Sequence, residues 1–149
     1  MLDLELEHKM DSNSNVEEKL CEQAVENLSL EKKVFNSWSY KILNETLFIQ
    51  TIKYSSNYLY IWLSNNGKLE NLSFAVQTKY EKLPLGINII NKDGDNQQFM
   101  DNLTSKLSFK LNKQVFLALN IDFDPNNVNF ILNVEKFLFN EIKLNKDKF

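Results

Sequence analysis

The chain holds one cysteine and one histidine, so nucleophilic and metal chemistry have few places to start. Cys21 falls in a stretch whose apolar residues Val16, Leu20, Ala24 and Leu28 recur at helical spacing. A thiol there reads as a small apolar filler rather than a nucleophile. His8 sits among leucines and acids ahead of that stretch, where a solvated imidazole is expected. A Cys–His pair works only when both groups are held rigidly within hydrogen-bond reach, and nothing in residues 1–15 anchors His8. The same two side chains fall short of the four ligands of a structural zinc site. Asp122-Phe-Asp-Pro-Asn126 begins like a calcium loop. It then has Asn127 where glycine should make the sharp turn and Asn133 where a bidentate glutamate should close the site. It reads as a turn, as does Asp93-Gly-Asp95. Gly67, Gly86 and Gly94 are too scattered to build a phosphate-cradling loop. The residues therefore predict no catalytic, cofactor-binding or metal-binding group, and no enzyme.

Binding to nucleic acid has more to work with. Lys106, Lys110 and Lys113 fall along one side of a predicted helix, and exposed tyrosines could stack bases. Against this, all 17 basic residues are lysine and the net charge is −3. Arginine is the usual bidentate reader of phosphate and guanine, and lysines opposite an apolar stripe are normally its solvated face. A single-stranded nucleic-acid-binding domain is the weaker alternative. Four glycosylation acceptor patterns, at Asn27, Asn44, Asn71 and Asn102, are what chance supplies in a chain with 21 asparagines.

The charge is unevenly placed. Residues 1–31 carry nine acids and two lysines, a net of −7, while the remainder carries fifteen lysines and eleven acids, a net of +4. An acidic arm over 1–31, flexible or partly helical, therefore precedes a mildly basic domain over 32–149. The helical stretch near 16–30 either docks on the body or a partner, or frays, since a helix this short is marginal alone. The N-terminus has neither the basic start nor the apolar middle of a signal peptide, and no apolar run reaches the length of a membrane span. With a single cysteine as well, a cytoplasmic and also nuclear setting is expected.

The elements that would position any function are mostly strands. Val34–Ile42 places Val34, Trp38, Tyr40 and Ile42 on one side, and Thr46–Tyr54 is rich in β-branched and aromatic residues. Tyr58–Leu63 puts Tyr58, Tyr60 and Trp62 on one face and Leu59, Ile61 and Leu63 on the other. Asn65-Asn66-Gly67 is a strong hairpin signal, with Leu69–Thr78 predicted to pair back and to line up Leu72, Phe74 and Val76. After Pro84 the pattern loosens into a loop through Asn96. Asp95 or Asn96 caps a helix carrying Phe99, Leu103, Leu107 and Leu111, and Gln114–Leu119 is a short buried strand. From Val128 the tail begins extended and becomes helical on Val134, Phe137, Leu138 and Ile142. The expectation is an α+β domain: an antiparallel sheet, a meander of about four strands plus one or two later ones, with two helices packed on it and the flexible acidic arm ahead.

One strand has a functional consequence. Tyr58–Leu63 is apolar on both faces, and the helices can cover only one. The other needs either a second sheet, giving a closed sandwich, or another subunit, because aromatic apolar faces are the usual make-up of an interface core.

From about Val34 to Phe149 the chain resembles the proteasome assembly chaperone 4 family. The most specific piece is Asn112-Lys-Gln-Val-Phe116, joining the helix end to the next strand. The strand ending in Trp62, then Leu69-Glu-Asn-Leu72 and Ala75-Val76, fits the family's strand pair. Tyr80-Glu-Lys-Leu-Pro84, Asn129-Phe130, Val134-Glu135 and the closing Lys148-Phe149 follow in register, while residues 1–31 lie outside the resemblance. The resemblance implies a non-catalytic chaperone for 20S proteasome assembly, without cofactor. It would pair with an assembly chaperone 3-like protein as a heterodimer, hold proteasome α subunits, notably alpha type-5, and promote the α ring, with no nucleic acid or membrane among its partners. A generic heterodimeric adaptor with another client is the runner-up. The expected partner interface is the face with Tyr58, Tyr60 and Trp62, or its neighbour with Phe74 and Val76. Lys79–Pro84 and Asp122–Asn127 are the loops expected to touch a client.

Overall fold

Alternation of apolar and polar side chains at a period of two builds most of this protein. The computed structural model describes residues 33–42, 45–92, 94, 97–121 and 128–149. Six strands form one sheet: β1 (Val34–Ile42), β2 (Glu45–Lys53), β3 (Tyr58–Ser64), β4 (Asn71–Val76), β5 (Leu85–Asn91) and β6 (Gln114–Asn120). Helix α1 (Gln97–Leu111) lies between β5 and β6 in the chain, and α2 (Val128–Leu144) follows β6, with a short 3-10 turn at Lys146–Lys148. The expected acidic arm, its helix, His8 and Cys21 lie outside the described residues, as do Asp95, Asn96 and the Asp122–Asn127 turn.

The spatial order is β1-β2-β3-β6-β4-β5. Four of the five pairings are antiparallel, but β3 and β6 run parallel. The α+β class holds, and the antiparallel four-strand meander does not. The residues after β3 bend the chain without closing the expected hairpin. Gly67 takes a positive φ of 75°, and Ser64 Oγ accepts the N–H groups of Asn66 and Gly67 at 3.2 and 2.9 Å. The chain then runs on instead of pairing back. Asn120, buried at the end of β6, accepts the N–H groups of Glu70 and Asn71 through Oδ1 at 2.6 and 2.7 Å, fixing β4 one strand position away. Strand β6 takes the gap because Val115, Leu117 and Leu119 on one side and Phe116 and Ala118 on the other are all apolar. A strand with two apolar faces belongs in the interior of a sheet.

Two further corrections concern single elements. Leu85–Asn91, read as the start of a loop, is the edge strand β5. Its alternation of Leu85, Ile87 and Ile89 with Gly86 and Asn88 is a strand signal, and Pro84 just before it is tolerated where a strand begins. The tail is helical from Val128 itself rather than beginning extended.

Both helices cover the same face. Leu47, Ile49, Leu59, Ile61, Leu63, Val115 and Leu117 are each 0% exposed and pack under Met100, Leu103 and Leu107 of α1 and Val134, Leu138 and Ile142 of α2. The approach over β5 is close enough that a Cβ on Gly86 would meet the Asp101 carbonyl oxygen at 2.1 Å. Helix α1 ends in a Schellman arrangement: Asn112 adopts a φ of 52°, Lys113 N–H donates to Ser108 O at 3.3 Å, and Gln114 N–H reaches Asn57 O at 2.8 Å. The helix end thus delivers the chain straight into β6. At the C-terminal end, Thr51 Oγ1 donates to Lys148 O at 2.8 Å and the Lys53 ammonium to Asp147 O. Phe149 is buried edge-on against Trp38, with ring centroids 5.9 Å apart.

Candidate partner-binding face

Residues paired across neighbouring strands share a face, so the register lists what the helices leave uncovered. Phe35 pairs with Ile52, Ile52 with Tyr60, Tyr60 with Phe116, Phe116 with Phe74, and Phe74 with Ile87. One apolar row therefore crosses all six strands on the face away from α1 and α2. Tyr58 and Trp62 flank it on β3, Phe48 on β2, and Val76 with its partner Leu85 on the β4–β5 pair.

The row is ordered rather than loosely exposed. The Phe74 and Phe116 rings stack with centroids 4.3 Å apart, and Trp62 Nε1–H donates to Lys68 O at 3.1 Å, tying the indole to the loop between β3 and β4. Tyr60 is half-buried, and that burial, with Tyr54 nearby, pushes its phenol above the usual value near 10. Exposure is greatest at the ends of the row, where Phe35 is 58% and Ile87 43% exposed. The strands β2, β3, β6 and β4 put serine, threonine, glutamine and asparagine on this face among the apolar residues, and no charge. A face rich in aromatics and stripped of charge at its centre has the composition of an interface core.

The five sequence-predicted residues Tyr58, Tyr60, Trp62, Phe74 and Val76 all fall on this face. They belong to one surface instead of two neighbouring ones, because β6 inserts between β3 and β4 and Phe116 joins Tyr60 to Phe74. Sequence reading missed Phe35, Phe48, Ile52, Phe116 and Ile87. Phe116 carried a signal like that of Tyr60, standing in a run apolar on both faces. Among the described residues no second sheet covers this face.

Other chemistry is sparse. Among the described residues no cluster of three or more His, Cys, Asp or Glu could hold a metal ion, and no helix is long and apolar enough to cross a membrane. The predicted lysine row is partly engaged: Lys106 Nζ meets Glu135 Oε1 at 2.7 Å and Lys113 Nζ donates to Phe149 O at 3.0 Å. Of the two expected client loops, Lys79–Pro84 is described, with Tyr80 96% exposed and Leu83 beside it also exposed.

The family model for proteasome assembly chaperone 4 matches residues 46–121, just over half of the chain, from β2 through β6. Human proteasome assembly chaperone 4 is 29% identical over 91 residues, covering 61% of this chain and 71% of that protein. The spindle assembly checkpoint component MAD1 of Debaryomyces hansenii is 27% identical over 93 residues, but the chain spans only 14% of that protein. Among solved structures, a chain from a chaperone complex for yeast 20S proteasome assembly superposes with a TM-score of 0.59 at 15% identity, covering 77% of this chain and 97% of that one. That likeness is one of fold.

Proposed function

Because the chain belongs to the proteasome assembly chaperone 4 family, we propose that its uncovered sheet face pairs with an assembly chaperone 3-like protein, and that the heterodimer holds proteasome α subunits while the α ring forms. The family is one of non-catalytic proteasome assembly chaperones, and the chain is not an enzyme. The observation that carries the pairing is the row Phe35–Ile52–Tyr60–Phe116–Phe74–Ile87, apolar and half-exposed across six strands. A monomer rarely leaves such a face to water. The fold likeness to a chain of a yeast assembly-chaperone complex supports the same reading. Alpha type-5 is the expected client, and the exposed Tyr80 and Leu83 of the Lys79–Pro84 loop are our candidates to touch it transiently. On this reading residues 32–149 are the working domain, residues 1–31 an acidic addition, and the setting cytoplasmic and nuclear.

The test is co-expression with the assembly chaperone 3 homologue of the same organism, with the purified species weighed by light scattering. A one-to-one heterodimer that retains the alpha type-5 subunit is expected, and Ile87→Glu, at an exposed edge position, should dissociate it without unfolding the chain. A monomer that ignores both proteins, or a heterodimer indifferent to Ile87→Glu and Phe35→Glu together, overturns the proposed pairing.

A further inference from the structure

Helix α2 carries two stripes. Val134, Leu138 and Ile142 point into the core. Beside them Leu132, Lys136, Phe139 and Lys143, at spacings of four, three and four, line a groove of about 910 Å³ against the end of α1. Lys110 on α1 and Lys146 beyond α2 complete its rim. Among the described residues none of Lys110, Lys136, Lys143 and Lys146 has a carboxylate within salt-bridge distance. The groove's one acidic side chain, Glu135, is held by Lys106 at 2.7 Å. Lys113, also in the lining, is partly buried, and that burial with Lys53 nearby pulls its ammonium below the usual lysine value. The groove thus keeps an apolar floor under an unneutralised cationic rim.

From this charge and shape we infer that the α1–α2 groove is a second docking site, taking an acidic peptide segment that carries a large apolar side chain. The site goes beyond the proposed pairing and stands apart from it, since it lies on the helical side of the sheet. The lysine rim selects carboxylates, and Leu132 and Phe139 give an apolar anchor somewhere to bury. Nucleic acid fits less well. The rim has no arginine to grip phosphate in a bidentate fork, and an apolar trough suits a side chain better than a sugar-phosphate backbone.

The full chain would be titrated into fluorescein-labelled decapeptides followed by anisotropy. The first has glutamates around a central Phe-Leu pair, the second has Ser-Ser at its centre, and the third has lysines in place of the glutamates. A single-stranded RNA decamer is the fourth probe. The first peptide should bind and the third should not, with the Ser-Ser peptide weaker by about fivefold. Lys136→Glu combined with Lys143→Glu, both on exposed positions, should weaken the first peptide by about tenfold or more, and Leu132→Ser by a few-fold. Unchanged melting of each variant keeps the comparison on binding, and Ile87→Glu should leave peptide affinity unchanged. Absence of binding by the first peptide, binding indifferent to both groove variants, or tighter binding of the RNA overturns the inference.

Discussion

The two faces of this sheet are made by alternate residues of the same strands, yet they meet different fates. Ile61 and Leu63 on β3 are sealed under the helices, while Tyr60 and Trp62, which alternate with them, look away from α1 and α2. Both sets are apolar, so hydrophobicity alone does not separate core from interface. The separating features are shape and polarity. The covered face uses aliphatic side chains that interdigitate with helical ones, and Gly86 lets α1 come close. The uncovered face uses aromatic rings, several with a polar tip, dispersed among neutral polar residues. Such a face tolerates water when alone and yields a large area when covered.

The sharpest way to break that contrast is the same truncation on each side. Ile61→Ala leaves a cavity in a fully buried site and should cost about 3–4 kcal/mol by urea unfolding of the isolated chain, whereas Ile87→Ala should cost less than about 1 kcal/mol and show its effect in partner affinity. Equal losses at both sites would mean that the second face is also sealed in the lone protein. Gly86→Ala comes next. The added methyl has backbone at 2.1 Å that must move, so about 2–3 kcal/mol should be lost, with no comparable loss at Gly67→Ala beyond the strain of its positive φ.

Smaller effects sharpen the comparison. Asn112→Ala keeps every packing contact of the covered face but puts an ordinary side chain in the left-handed region, and should cost about 1 kcal/mol in thermal unfolding. Asn112→Gly should be neutral or slightly stabilising. The least effect concerns the uncovered face and pH. The Tyr60 phenol titrates higher in the folded chain than its ordinary value near 10, so its contribution to stability is whole below pH 10 and is lost as pH climbs through the folded value. Tyr60→Phe should flatten that alkaline decline. A bound partner should push the phenol higher still, visible as delayed phenolate absorbance.

How far the sequence revealed this depended on the range over which each signal acts. Tyr58–Leu63 announces a strand with two apolar faces because its residues are neighbours, and the α1 stripe at Leu103 and Leu107 is equally local. The insertion of β6 is not local. It rests on the Asn120 side chain meeting the backbone at Glu70 and Asn71, fifty residues earlier, and on the competition of β6 with β4 for the same edge of β3. Nothing in Asn65–Gly67, whose residues signal a hairpin, hints at that competitor. The consequence is that five residues sharing the uncovered face read from the sequence as two surfaces, since only Phe116 unites them. Strand β5 reads as a loop although its period of two is present, because Pro84 and the asparagines around it carry turn signals.

The central position of β6 also sets a timetable for the nascent chain. Strands β1 to β3 can zip into hairpins as they leave the ribosome, and β4 with β5 can form another, but the two halves have nothing to hold them side by side until Gln114–Asn120 emerges. Until then β3 and β4 each present a bare hydrogen-bonding edge, the condition under which chains pair with the wrong neighbour. A protein that guards the assembly of others therefore passes through a stage of its own in which one late strand decides between folding and aggregation, and its refolding should be slow for its size because that strand must thread between two waiting edges.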